Sequence, residues 1–214
     1  MSAARYAVAL TLLAGALAGC GDDIPDYQSI WTTTHTSAAP TSQEPVPIHQ
    51  YLESVGVVGR PVPPDEVRDF TITLPTPPGW QPYHNPNFAP GTRVIAKGDT
   101  YPIAMLMVFE LTGDFDVARA IEHGHADAER SQNFKRLNAS NENWRGFPSS
   151  MIEGSYDLNG RRMQSYNRIV IPTGPPPERQ RYLIQLTVTS FAEDAAEHGP
   201  DIETIIRDFS VAPK

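Results

Sequence analysis

Few side chains in this sequence are of a type that does chemistry. There is one thiol, Cys20, and there are six imidazoles: His35, His49, His84, His123, His125 and His198. Two histidines on one helix share a metal ion when they stand four apart, because that spacing puts both on one face. His123 and His125 are two apart, about 200° around a helix axis at roughly 3.6 residues per turn, so they do not share an ion. The chain contains no Gly-x-Ser-x-Gly elbow, no Walker phosphate loop, no dinucleotide glycine pattern and no calcium loop. Glu193, Asp194 and Glu197 crowd the start of the last helical stretch, where the helix dipole favours acidic side chains. No catalytic residue, metal ligand or cofactor is therefore expected.

The chemistry of Cys20 is of another kind. Arg5 is the only charge before it, and Tyr6 to Ala18 is an uncharged, mainly apolar run of 13 residues. As a helix that run would span roughly 20 Å at about 1.5 Å per residue, short of the roughly 30 Å of a bilayer core. A basic start, a short apolar middle and small residues at its end make an export signal rather than a spanning helix. Leu17-Ala18-Gly19 followed by Cys20 resembles the lipobox of bacterial lipoproteins. That resemblance implies cleavage between Gly19 and Cys20, a diacylglycerol on the Cys20 thiol, and an anchor in the cell membrane at its extracytoplasmic face. Two acyl chains suffice for stable anchoring, since each buried methylene adds about 0.8 kcal/mol. With no second cysteine, no disulfide can staple the domain, so its core must hold it together.

The third group of interest is aromatic. Trp80, Tyr83, His84 and Phe88 fall within nine residues of the proline-rich stretch TPPGWQPYHNPNFAPG. Prolines hold a loop extended at low entropic cost, and aromatic rings offer flat contact area to sugars, lipids or proteins. Trp80 is read first as packing beneath a sheet edge, while Tyr83, His84 and Phe88 are the better surface residues. Trp144, in NENWRGFPS, belongs to a second such segment.

These residues need elements to position them. Residues 21–47 are rich in Ser, Thr, Pro and Gln without apolar period and read as a disordered tether following the signal of residues 1–19 and the lipidated Cys20. A single domain is expected over 48–214. PIHQYLESVG reads as a short helix closed by Gly56, RDFTITLP and TRVIAKG as strands, and Ile103 to Phe109 as a strand covered on both faces. GDFDVARAIEHGHADAERSQ reads as one long helix capped by Asp114, with Gly124 marking close packing. FKRLNAS is a further strand. SSMIEGSYDL and RRMQSYNRIVI flank Asn159-Gly160, a type I′ hairpin signal. In YLIQLTVTSF, Tyr182, Ile184, Leu186 and Val188 line one face and Gln185, Thr187 and Thr189 the other; DIETIIRDF closes the domain as a helix. The order gives an α+β fold, an antiparallel sheet of about six or seven strands covered by helices on both faces.

The lipobox, the Thr/Pro-rich tether, IHQYLESVG, LPTPPGW, the long apolar strand before an Ala-rich helix and RYLIQLTVTS together resemble the LpqN/LpqT family of actinobacterial cell-envelope lipoproteins. The resemblance covers Pro47 to the C-terminus. It implies a PsbP-like sandwich, and it implies no reaction. With 17 Lys+Arg against 25 Asp+Glu, and Arg5 lost with the signal, the net charge is about −9, which argues against a nucleic-acid partner. The expectation is a non-enzymatic binding or accessory module that is attached to the membrane through the Cys20 lipid and docks an envelope protein or an envelope lipid or glycolipid. The alternative is an envelope hydrolase or transferase with an unrecognised acid/base set, such as a carboxylate with His84.

Overall fold

A computed structural model describes residues 45–214; the signal, the lipidation site and most of the tether lie outside the described residues. In chain order the elements are α1 (Ile48–Ser54), β1 (Val58–Pro61), β2 (Phe70–Thr73), β3 (Gln81–Pro82), β4 (Arg93–Ala96), β5 (Ile103–Thr112), α2 (Val117–Glu122), α3 (Ala126–Glu129), β6 (Lys135–Ser140), β7 (Ser149–Leu158), β8 (Arg161–Val170), β9 (Arg181–Phe191), α4 (Ala195–Asp208) and β10 (Ser210–Pro213). Eight strands form one sheet in the order β3-β4-β5-β9-β8-β7-β6, with β1 also on β5, and β2 and β10 form a separate ribbon. Every pairing is antiparallel. The expected α+β sheet is thus present, enlarged by the short strands β1 and β3, which the sequence pattern does not announce.

The sheet is covered on both faces. On one, Ile95, Leu106, Val108, Ile184, Leu186 and Val188 meet Ile205 of α4 and Phe70, Ile72 and Val211 of the β2–β10 ribbon. On the other, Met105, Met107, Phe109 and Leu183 meet Ile48 and Leu52 of α1 and Ala120 and Ile121 of α2. Strand β5 lies between these two cores, and all seven residues from Ile103 to Phe109 are buried, as its unbroken apolar run requires. The β7–β8 hairpin turns at Asn159 (φ 49°) and Gly160 (φ 77°), the pair of positive φ values that a type I′ turn demands.

Four expectations are corrected. The long helix is two short ones, α2 and α3, interrupted at His123–His125. The cap of α2 is Asp116, whose carboxylate accepts from the Arg119 N–H at 3.1 Å, and not Asp114. The physical reason for the break is Gly124: a Cβ there would lie 2.5 Å from Ser150 Cβ, so the chain is pressed onto β7 as α2 ends. The last helix starts six residues before Asp201, at Ala195, and carries Pro200 inside it. Proline reads as a helix start because it has no N–H to donate, but only one bond is lost here. Finally, FTIT is a strand of the β2–β10 ribbon and not of the main sheet.

Candidate functional site

The face carrying α1 to α3 is the one with site-like features. Its helices have seven, six and four residues, so each spans about 10 Å or less over strands of ten or eleven residues. Phe109, Leu183 and Ile171 share one apolar cluster with residues of α1 and α2. Val94, Ala96 and Ile103 belong to the same cluster, and Tyr83 and Phe88 pack against it. Part of the floor of this face is polar.

That floor comes from alternate residues of β8 and β9. The register sets Ser165 beside Thr189 and Asn167 beside Thr187, with Gln185 beside Met107. The Thr187 hydroxyl donates to Asn167 Oδ1 at 2.8 Å, Gln185 Nε2 donates to Thr187 Oγ1 at 3.5 Å, and Asn167 Nδ2 donates to Ser165 Oγ at 3.4 Å. Asn167 and Gln185 stay partly accessible although they sit on central strands. Gln185 Oε1, Ser150 Oγ and His125 Nε2 are buried without a hydrogen-bond partner among the described residues, as is the Tyr101 hydroxyl. Buried polar groups in native proteins are nearly always hydrogen-bonded, so these four atoms single this face out as the candidate site. Met105, Met107 and Met163 give the same face an apolar component.

Tyr101 packs against the same apolar cluster, edge-on to Phe191 with ring centroids 4.8 Å apart. Burial pushes its phenol well above the ordinary tyrosine value, and the neighbouring phenols of Tyr156 and Tyr83 add to the shift. It is therefore a neutral hydroxyl at any physiological pH, able to donate. Its geometry offers recognition by hydrogen bonding, not proton abstraction.

The aromatic residues singled out in the sequence separate into two groups. Trp80 is 4 % exposed, in the core beneath α4, and its indole N–H donates to Asp201 Oδ2 at 3.1 Å. It is a core residue rather than part of a binding surface. Trp144 also belongs to that opposite face, stacked on Phe209 at 5.3 Å with the Arg168 guanidinium 5.0 Å from its ring centre. Neither belongs to the face of Met105 and Met107. Tyr83 and Phe88 do pack on it, half-buried, with centroids 6.2 Å apart, and His84 beside them is exposed. Sequence reasoning missed Tyr101, Asn167 and Gln185. The alternating Gln185, Thr187 and Thr189 were the available signal, but only the topology reveals that they face inward on a central strand.

The histidines are dispersed. His123 Nδ1 lies 3.0 Å from the Val46 carbonyl, and its ring stacks on Tyr51 at 4.5 Å; His49 is on α1 and His198 on α4. Among the described residues no three His, Cys, Asp or Glu side chains gather as metal ligands, and no helix is long and apolar enough to cross a membrane.

Comparison with known proteins agrees with this architecture. Residues 44–212 match the family described as "Probable lipoprotein LpqN". The lipoprotein LpqT of Mycobacterium tuberculosis is 56% identical over 210 residues, covering 97% of this chain and 93% of that one. LpqT of Mycobacterium leprae is 51% identical over 208 residues, covering 97% and 95%. The crystal structure of LpqN, a protein involved in cell envelope biogenesis of Mycobacterium tuberculosis, superimposes with a TM-score of 0.66 over 78% of this chain and 98% of that one. At 20% identity that match speaks for the fold. The chain is a member of the LpqN/LpqT lipoprotein family.

Proposed function

We propose that this protein is a non-enzymatic binding module of the cell envelope, which holds an envelope lipid or glycolipid in the recess between the short helices and the Tyr83–Phe88 segment. A diacylglycerol on Cys20 keeps it at the extracytoplasmic face of the membrane. The observation that supports this reading is the mixed floor. The half-buried rings of Tyr83 and Phe88 offer apolar contact to an acyl chain, while Asn167, Gln185 and the unpartnered Gln185 Oε1 offer hydrogen bonds to a polar head. Pockets for small molecules are mostly apolar with a few placed polar groups, and this face has that composition. Membership in a lipoprotein family supports the envelope setting, as does the role in envelope biogenesis named for the structurally similar LpqN. The hydrolase or transferase reading finds less support. His84 is exposed, and no carboxylate is hydrogen-bonded to it among the described residues.

The test is co-purification. Full-length protein is extracted from membranes, and its bound lipids are identified by mass spectrometry beside those of the Gln185→Leu variant. An amphiphile enriched in the wild type and depleted in the variant, at similar melting temperature, is the expected result. Equal lipid profiles for both proteins and for an unrelated lipoprotein would remove the recess as the binding site.

A further inference from the structure

The segment from His84 to Gly91 is attached to the body of the protein in an unusual way. Its ends are fixed: the Tyr83 N–H donates to the Val94 carbonyl at 2.9 Å, and Gly91 lies so close to Pro63 that a Cβ would fall 2.8 Å from the proline nitrogen. Between those ends, the hydrogen bonds among the described residues stay inside the segment. The Phe88 N–H donates to the Asn85 carbonyl at 3.1 Å, the Asn87 N–H to Asn85 Oδ1 at 2.9 Å, and the Thr92 N–H to the Ala89 carbonyl at 3.1 Å. Within it, the half-buried ring of Phe88 packs on the core beside that of Tyr83. A loop tied by one half-buried ring can lift without breaking a sheet hydrogen bond.

In the same cluster lies Tyr101, whose hydroxyl is buried with no acceptor. A phenol in this position is costly when it has no partner, and a phenylalanine would fill the same volume without that cost. We propose that the Tyr101 hydroxyl is a ligand-contacting donor, covered by the His84–Gly91 strap in the unliganded protein and uncovered when the strap lifts to admit an uncharged oxygen acceptor carried on an acyl chain. The acceptor is an ester or ether oxygen, because the aromatic surroundings of Tyr83, Phe88 and Phe191 would leave an anionic group poorly solvated, and Arg161, whose guanidinium lies 3.2 Å from the Phe191 ring centre, is already paired with Glu193. The inference rests on the binding reading above and adds to it a donor, the group it recognises and a route of entry.

Full-length protein reconstituted in phosphatidylcholine vesicles is exposed to two photo-crosslinking probes of equal chain length. One is a lauroyl ester bearing a terminal diazirine and the other is the corresponding hydrocarbon without oxygen. Crosslinked peptides are identified by mass spectrometry for the wild type and for Tyr101→Phe. The variant is expected to keep or raise its melting temperature, to need about tenfold more ester probe for half-maximal labelling, which is about 1.4 kcal/mol, and to take the hydrocarbon like the wild type. In the wild type, ester binding should also speed hydrogen exchange of the amides of residues 84–91. Equal ester labelling of wild type and Tyr101→Phe overturns the role of Tyr101 while leaving the recess in place. Labelling without any change in exchange overturns the strap. If neither probe labels the wild type, the binding reading itself falls, and this inference with it.

Discussion

At the scale of single residues, the chemistry of this protein lies in hydrogen bonds that are made or left unmade. Asp201 shows the first kind. It accepts from Lys97 Nζ at 2.8 Å and from the Trp80 indole at 3.1 Å, and these two bonds, the lysine's first, hold its carboxyl below the usual carboxylate value. An acid whose pKa is lowered by folding stabilises the native state above its unfolded value, about 3.9. That contribution is lost as pH falls from there through the folded value. The carboxyl is about a quarter exposed, so the effect is modest. Asp201→Asn is expected to melt a few degrees below wild type at pH 7, with the gap closing as the pH drops below about 4. A gap of constant size from pH 7 to pH 2.5 would mean that the charge is not what stabilises this contact. Trp80 was legible as a packing residue, because a tryptophan between prolines beside a strand has a sheet edge to fill. Its partner was not legible, since 121 residues separate it from Asp201 and no local pattern spans that distance. Tyr101 and Gln185 were invisible for a related reason: an unmet hydrogen bond has no sequence signature.

At the scale of elements, local rules held where local physics dominates and failed where tertiary contact overrides it. The Asn159-Gly160 hairpin and the doubly covered β5 were readable, because turn stereochemistry and an unbroken apolar run each admit few alternatives. Substituting Met105, 2 % exposed between the α1–α2 layer and the sheet, tests the second. Met105→Asp places a charge without a partner in the core, at a cost of several kcal/mol against a total of about 5–15. No cooperative melting transition is expected from it, and an unchanged melting temperature would contradict burial of the strand. The break between α2 and α3 was not readable, because helix propensity alone favours continuity through an Ala-rich stretch. It is set by contact with Ser150. Gly124→Ala would gain about 1 kcal/mol of helix propensity in a continuous helix, but in the turn between α2 and α3 it drives a methyl to 2.5 Å from Ser150 Cβ and Oγ. It should therefore lower the melting temperature, and Ser150→Gly in the same chain should restore part of the loss. A stabilised Gly124→Ala protein would show that the two elements separate freely. The β2–β10 ribbon was equally hidden, since it joins residues more than 130 positions apart and β10 is only four residues long.

At the scale of the whole molecule, the fold and the attachment are separate devices. Both cores are built from residues between Ile48 and Val211, and the one cysteine stands at position 20, before the described residues begin. No cross-link therefore contributes to the domain, and nothing in either core depends on the thiol. The expectation follows that Cys20→Ala removes the protein from the membrane fraction without lowering the melting temperature of the domain. Fractionation and thermal denaturation read the two halves of that statement independently. Labelled palmitate gives the decisive measurement: incorporation into Cys20→Ala equal to that into wild type would mean that the lipid is carried elsewhere. The proposed binding module would gain from such a division. Its proposed site is built from strands and short helices within residues 48–211, while a lipid on Cys20 would confine it to the surface where amphiphiles are found. Confinement raises the effective concentration of a membrane-resident ligand without adding a contact. The Cys20→Ala protein should therefore retain the affinity of the recess for an amphiphile in solution and lose its advantage only when the amphiphile resides in a bilayer. Binding of the lauroyl ester probe, measured once in solution and once in vesicles, separates the two. A variant equally impaired in both settings would show that lipidation shapes the recess itself.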